Sequence, residues 1–359
     1  MKTNRIKVAY SEPDDYFPRE IREKYRLGEF AMTPTEEKTR AVMIGHAVGD
    51  ALGVPVEFCD REELIANPVT DMRGFGTYPY PAGCWSDDTS MSLATLDSLS
   101  SGNVDLDDIM QNFGKWYYKD AYTPTGEMFD VGNTCSFAIE NYVVGQKSVL
   151  ECGLTEERAN GNGSLMRIHP VCLYLYCKKV PTDEAIDIIH KVSALTHAHQ
   201  RSQMACGIYA YLLWELLENP SKSSVVKGLN KARRKYGRDE EFDHFNEKLM
   251  KRIGRIYRLW EDPDDYVPLT DDDIASSGYV VHTLEAAVWC LMNTHSYRDC
   301  VLKAVNLGGD TDTVAAVAGG LAGALYGYDS IPETWRETLA KRDYIEDMCK
   351  NACERWTVK

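Results

Sequence analysis

The sequence predicts an all-α domain preceded by an N-terminal arm, and three observations carry that expectation. From Thr35 onward, segment after segment spaces its apolar residues at three and four rather than in alternation. Strand candidates are few and short, IKVAY at 6–10 and GYVV at 278–281. There is no glycine-rich strand-to-helix turn of the dinucleotide or P-loop kind, and no repeat of 20–50 residues.

The elements follow in order. Residues 1–34 hold prolines at 13, 18 and 34 and show little helical period outside REIREKYRLGEF, so they read as an extension or arm. TEEKTRAVMIGHAVGDAL, from Thr35, opens with the acidic first turn of a helix and then runs apolar. Its small residues at 45, 49 and 53 suit close helix packing, and Glu57, two residues past Pro55, is placed just beyond the helix end. Further helices are expected over 91–102, 104–119, 183–199, 201–219, 225–237, 244–260, 281–293, 297–308, 313–327 and, as one period, 334–356.

Composition narrows the function. At 359 residues, with 44% hydrophobic and 26% charged residues, the chain has material for a sizeable core. A net charge of −15 argues against binding nucleic acid through its phosphates, which requires a basic surface. A phosphate-bearing small molecule remains possible where divalent cations bridge it to the protein. No run of 18 apolar residues occurs, and the opening MKTNRIKVAYSEPDD has no apolar signal region, so a cytoplasmic protein is expected. The eleven cysteines are scattered, odd in number and without a CxxC pair, and are expected to be buried reduced thiols.

Two acidic segments stand out, Trp85-Ser86-Asp87-Asp88-Thr89 and Gly308-Gly309-Asp310-Thr311-Asp312-Thr313, each just before an apolar helix. One reading is capping, since Asp, Ser and Thr satisfy helix N-termini and anions are favoured there by roughly 0.3–1 kcal/mol. A cap needs only one side-chain oxygen, however, and each segment offers two carboxylates within three residues. Carboxylates so close raise one another's pKa unless a cation lies between them. Oxygen-only ligands select Mg²⁺ or Mn²⁺ over zinc, and if the segments meet, four carboxylates would hold two ions. The glycines before Asp310 would permit close backbone approach.

These segments, together with GHAVGDALGVPVEF, FDVGNT, GNGSLMR, THAHQRS and SGYVVHTLEAA, resemble the motif series of ADP-ribosylglycohydrolases over roughly residues 35–345. The resemblance implies a compact orthogonal multi-helix domain, 35–359, with a binuclear Mg²⁺ (or Mn²⁺) centre. Implied metal ligands are Ser86, Asp87, Asp88, Asp310, Asp312 and Thr313, with Ser86 standing where the family more often has Thr. Asp130 and Glu57 are implied as catalytic carboxylates beside Asp88. Gly132, Asn133, Thr134, Asn162, Gly163, Ser164 and His197 are implied around the substrate, and Tyr279 as a stack for adenine or a packing residue. For His197 a structural role between helices competes with proton transfer. The implied reaction removes ADP-ribose from a modified protein, with FDVGNT and GYVVHTLEAA leaning towards arginine linkage.

Three other readings remain at this point. Some relatives are non-catalytic crystallins, which the intact acidic set here opposes. Some members resemble immunity proteins that also occlude an ADP-ribosyltransferase toxin with an N-terminal extension, and Asp14, Asp15, Tyr16 and Phe17 would suit a basic cleft. The third is an unrelated Mg²⁺-dependent phosphoesterase.

Overall fold

The computed structural model describes residues 33–237, 242, 252–253 and 269–357. IKVAY, the expected N-terminal arm apart from Thr33 and Pro34, and most of the helix expected over 244–260 fall outside them. The described residues form fourteen α-helices and no strand. These are α1 (Pro34–Gly53), α2 (Arg61–Ala66), α3 (Asp87–Leu99), α4 (Leu106–Lys119), α5 (Asn133–Val143), α6 (His169–Cys177), α7 (Thr182–Ala194) and α8 (Gln200–Glu218). After them come α9 (Lys222–Tyr236), α10 (Val280–Met292), α11 (Tyr297–Val305), α12 (Thr311–Tyr326), α13 (Glu333–Thr338) and α14 (Arg342–Thr357). No described helix is long and apolar enough to cross a membrane.

The core is built around helices whose surfaces are buried on every side. In α12 every residue except Ala324 and Tyr326 is buried. It packs on α8, α10, α11 and the start of α3, while α8 also meets α7, α9 and α10. The run HPVCLYLYC has no apolar stripe because it is enclosed all round, which is why periodicity did not pick out α6. All eleven cysteines are free thiols, and only Cys59 and Cys177 reach partial exposure.

Two expectations are corrected. GYVV is not a strand: Tyr279 caps α10, and its valines form the first helical turn. Only an isolated bridge from Tyr279 to Gly161 is sheet-like. The single period over 334–356 divides into α13 and α14, with Lys341 in the left-handed region (φ 47°) between them.

The contact that positions the site is between α1 and α12. They run antiparallel, with Ala41 against Gly323, Gly45 against Gly319, Gly49 against Ala315 and Gly53 against Asp312. A Cβ added at Gly49 would lie 2.1 Å from the Ala315 carbonyl oxygen, so the helices approach to backbone contact. Tyr297 closes the seam by donating to the Gly45 carbonyl at 2.6 Å. Alanine normally stabilises a helix interior by about 1 kcal/mol relative to glycine. Here a backbone atom cannot move aside, and overpacking costs about 1–3 kcal/mol. Gly49→Ala should therefore lower unfolding free energy in a urea titration, where an exposed helical glycine would show a gain.

Candidate metal centre

The site begins with Asp50, near the end of α1. Its Oδ1 accepts from the Ser86 amide (2.8 Å) and hydroxyl (3.0 Å), and its Oδ2 from the Thr89 amide (3.0 Å) and hydroxyl (2.6 Å). Asp50 thus caps α3 from another helix, and Ser86 at the N-cap makes no side-chain capping bond of its own. Asp310, at the N-cap of α12, makes none either. The acidic segments are therefore not spent on capping, which leaves their carboxylates for other partners.

Those carboxylates converge. Oxygens of Asp50, Asp88 and Asp312 lie within 4.8 Å of one another, as do those of Glu57, Asp310 and Asp312, so Asp312 belongs to both groups. Thr313 donates to Asp88 Oδ2 at 3.2 Å, and the Ser86 hydroxyl, with one proton, lies 3.1 Å from that oxygen and 3.0 Å from Asp50 Oδ1. The Asn162 amide donates to Asp310 Oδ2 at 2.8 Å. Asp88 Oδ1, Asp312 Oδ2 and Glu57 Oε2 are buried and accept no hydrogen bond. Buried carboxylate oxygens without donors are costly, and a hard cation would satisfy them.

Glu57 reaches this group through a paired turn. The Phe58 amide donates to the Gly309 carbonyl (2.7 Å), and the Gly309 amide donates to the Cys59 carbonyl (2.9 Å). Gly308 and Gly309 hold φ of 74° and 72°, which side chains rarely adopt, and this bend brings Asp310 round to Glu57.

Above the carboxylates opens a cleft of about 430 Å³ bordered by Glu57, Asp87, Asp130, Asn162, His197 and Asp310. Of the expected substrate residues, Gly132, Asn133, Thr134, Asn162, Gly163 and His197 line it. Ser164 does not border it and is bonded beneath it to Ser193 (2.9 Å) and Cys206 (3.5 Å). Tyr279 stands beside Gly161 with the Arg201 guanidinium 5.8 Å from its ring centre. Asp87 faces the cleft and joins neither carboxylate group, being about 100° round the helix from Asp88. A roomier groove of about 940 Å³, lined by residues such as Trp214 and Lys231, contains neither carboxylate group.

Burial lifts Asp50, Glu57, Asp87, Asp88, Asp130 and Asp312. Asp87, Asp88 and Asp312 are pushed well above the usual carboxylate range, first by desolvation and then by neighbouring carboxylates. Desolvation, aided by Asp130 and Asp310, pushes Glu57 up to about 9, while hydrogen bonding from Tyr78 opposes the rise. Desolvation and then Asp310 raise Asp130 to about 6, against bonds from Tyr78 and Glu57. Asp50 is raised to about 6 by burial despite its four donors. Asp130 itself sits at φ 53°, in the left-handed region that Asp tolerates better than most residues.

Sequence reasoning missed Asp50 and Tyr78. Asp50 lies inside the quoted motif GHAVGDALG, but nothing in the motif shows that it reaches α3. Tyr78 lies in an irregular loop without any pattern.

Raised folded-state pKa values mean that, without metal, these groups favour folding below the unfolded carboxylate range and lose that contribution as pH rises through 6 towards 9. A cation competes with the protons. The increase in Tm caused by Mg²⁺ over chelator should therefore be larger at pH 8.5 than at pH 5.5. An equal gain at both values would speak against ions among these carboxylates.

Comparison with known proteins agrees with this geometry. The sequence pattern of the ADP-ribosylglycohydrolase family matches residues 31–359. The chain is 31% identical to the ADP-ribosylarginine hydrolase Tri1 of Serratia proteamaculans, over 88% of this chain and 78% of that one. It is 29% identical to the ADP-ribosyl-[dinitrogen reductase] glycohydrolase of Rhodospirillum rubrum, over 84% and 90%. A solved structure titled "ADP-ribosylglycohydrolase-related protein complex" superposes with a TM-score of 0.69 at 28% identity, covering 90% of this chain and 99% of that one. The match across almost all of the described helices shows that the chain belongs to the ADP-ribosylglycohydrolase family.

Proposed function

We propose that this chain removes ADP-ribose from arginine side chains of a modified protein, with residues 35–359 as the catalytic domain and two Mg²⁺ (or Mn²⁺) ions in the carboxylate site. The observation that carries the reading is the trio of buried oxygens without donors on Glu57, Asp88 and Asp312, directly beneath the cleft. The arginine linkage rests on likeness to relatives named for that activity.

Asp50, Asp88, Asp310, Asp312 and Glu57 would hold the ions, with Ser86 and Thr313 supplying hydroxyls around Asp88. When bound, such ions orient ribose hydroxyls and polarise oxygen, stabilising charge as the glycosidic bond breaks. Asp130 lies outside both carboxylate groups, so its carboxylate is available to accept the proton of the water that attacks the ribose anomeric carbon. Tyr78 and Glu57 are the neighbours that hold the pKa of Asp130 down against burial. The α5 N-terminus makes no side-chain capping bond, and Gly132, Asn133 and Thr134 line the cleft there. Open amides at the positive end of a helix suit a diphosphate.

Release of ADP-ribose from an arginine-modified protein, followed by chromatography, tests this. Wild type should release it with Mg²⁺ and not with chelator. Asp312→Asn removes a carboxylate common to both groups and should lower kcat by on the order of 100-fold or more. Asp130→Asn should lower kcat comparably while leaving stabilisation by Mg²⁺ intact. Full turnover by Asp312→Asn, or turnover in chelator, would refute the proposal.

A further inference from the structure

Arg167, at the end of GNGSLMR, is fully buried, and no carboxylate among the described residues pairs with it. Its guanidinium lies 4.6 Å from the Phe113 ring centre and faces the Val192 carbonyl (3.4–3.5 Å) in the last turn of α7, the negative end of that helix. Its strongest bond is a donation to Thr196 Oγ1 at 2.7 Å. Thr196 Oγ1 in turn lies 2.8 Å from His197 Nδ1.

The direction of the second bond follows from the first. Arginine can only donate, so one lone pair of the Thr196 hydroxyl is taken and its single proton needs an acceptor. The Cys135 thiol is the other polar side chain near Thr196; burial pushes it up to about 11, so it stays protonated and is a weak acceptor. The unprotonated Nδ1 of an imidazole is a far better one. His197 is buried, and desolvation with the Arg167 charge pushes its pKa down to about 3, so the ring is neutral. With Nδ1 accepting, the ring proton must be on Nε2.

Nε2 is on the cleft side. Its ring edge lies against the cleft-lining Gly161 and Gly163, whose added Cβ atoms would each sit 3.4 Å from Nε2. No group among the described residues accepts a bond from it. The same cleft receives the open α5 N-terminus, so its donors converge on one class of ligand group, an anionic oxygen.

We infer that Arg167 and Thr196 are positioning residues that lock His197 as the Nε2–H tautomer, a fixed hydrogen-bond donor to a phosphate oxygen of the substrate and not a proton carrier. Only the identity of the acceptor rests on the proposed function; the tautomer rests on the Arg167–Thr196–His197 bonds and on the burial of the ring. A fixed neutral donor reads the diphosphate at every pH at which the enzyme folds. It also leaves proton transfer to the carboxylates across the cleft.

The test is ¹⁵N–¹H correlation of histidine-labelled full-length protein, with His197 assigned by the signal lost in His197→Gln. Wild type should show an unprotonated Nδ1 and a protonated Nε2, unchanged between pH 5.5 and 8. Thr196→Val, isosteric but without the hydroxyl, should move His197 towards the Nδ1–H form. It should also raise the Kd for free ADP-ribose about ten-fold, the worth of roughly one hydrogen bond to a charged group, while kcat changes far less. Thr196→Ser should restore both. An Nδ1–H tautomer or a charged ring in wild type overturns the relay without any variant being needed. A correct tautomer with unchanged ADP-ribose affinity in Thr196→Val overturns its role in binding. The expected tautomer in a chain that releases no ADP-ribose would instead overturn the proposed function and leave the relay standing.

Discussion

The backbone-to-backbone approach of α1 and α12 is the constraint on which the rest of the structure depends. Four successive turns of α1 present small residues to α12, and the register ends with Gly53 against Asp312 and Thr311 bonded to the Gly53 carbonyl at 2.8 Å. The same register sets Asp50 beside Asp312 and lets Asp50 reach the start of α3. Side chains of ordinary size at this seam would hold helices 8–10 Å apart. At that separation carboxylates from α1, α3 and α12 would not share space. The convergence of carboxylates is thus a consequence of helix packing, and the glycines act through geometry.

What this packing brings together is unfavourable by itself. Five acidic side chains, Asp50, Glu57, Asp88, Asp310 and Asp312, are held close with their oxygens mostly out of water, and no lysine or arginine pairs with them in the described structure. Capping from Asp50 and hydroxyls from Ser86 and Thr313 satisfy part of the demand. Asn162 and the Thr313 amide serve Asp310 Oδ2 and Asp312 Oδ1, while Asp88 Oδ1, Asp312 Oδ2 and Glu57 Oε2 have no protein donor. Such strain persists at functional sites because a ligand relieves it, and here the relief calls for a hard cation. The buried cation Arg167 lies behind His197, reached through Thr196, and pairs with none of these acids.

Much of this was legible in the sequence, and the gaps have physical causes. Helical spacing gave most of the elements because the helices between core and solvent bury one stripe. It failed for α6, enclosed on all sides, and for 334–356, where a single left-handed residue at Lys341 interrupts a continuous period. GYVV read as a strand because β-branched residues also begin helices when buried, as Val280 and Val281 do. The doubled carboxylates of SDDT and GDTDT announced themselves by local like-charge density. Asp50 did not, since its four bonds join it to residues 36–39 positions away. Arg167 and Thr196 could be quoted as motif letters, yet their link to His197 exists only in three dimensions.

The most direct measurement is calorimetric titration of metal-free protein with Mn²⁺, comparing wild type with Asp312→Asn. Asp312 is the residue common to both carboxylate groups. Two ions bound per wild-type chain, and weakening of both in the variant, are what shared coordination requires. Binding that is absent in wild type, or that survives unchanged in Asp312→Asn, would contradict a metal centre at this position.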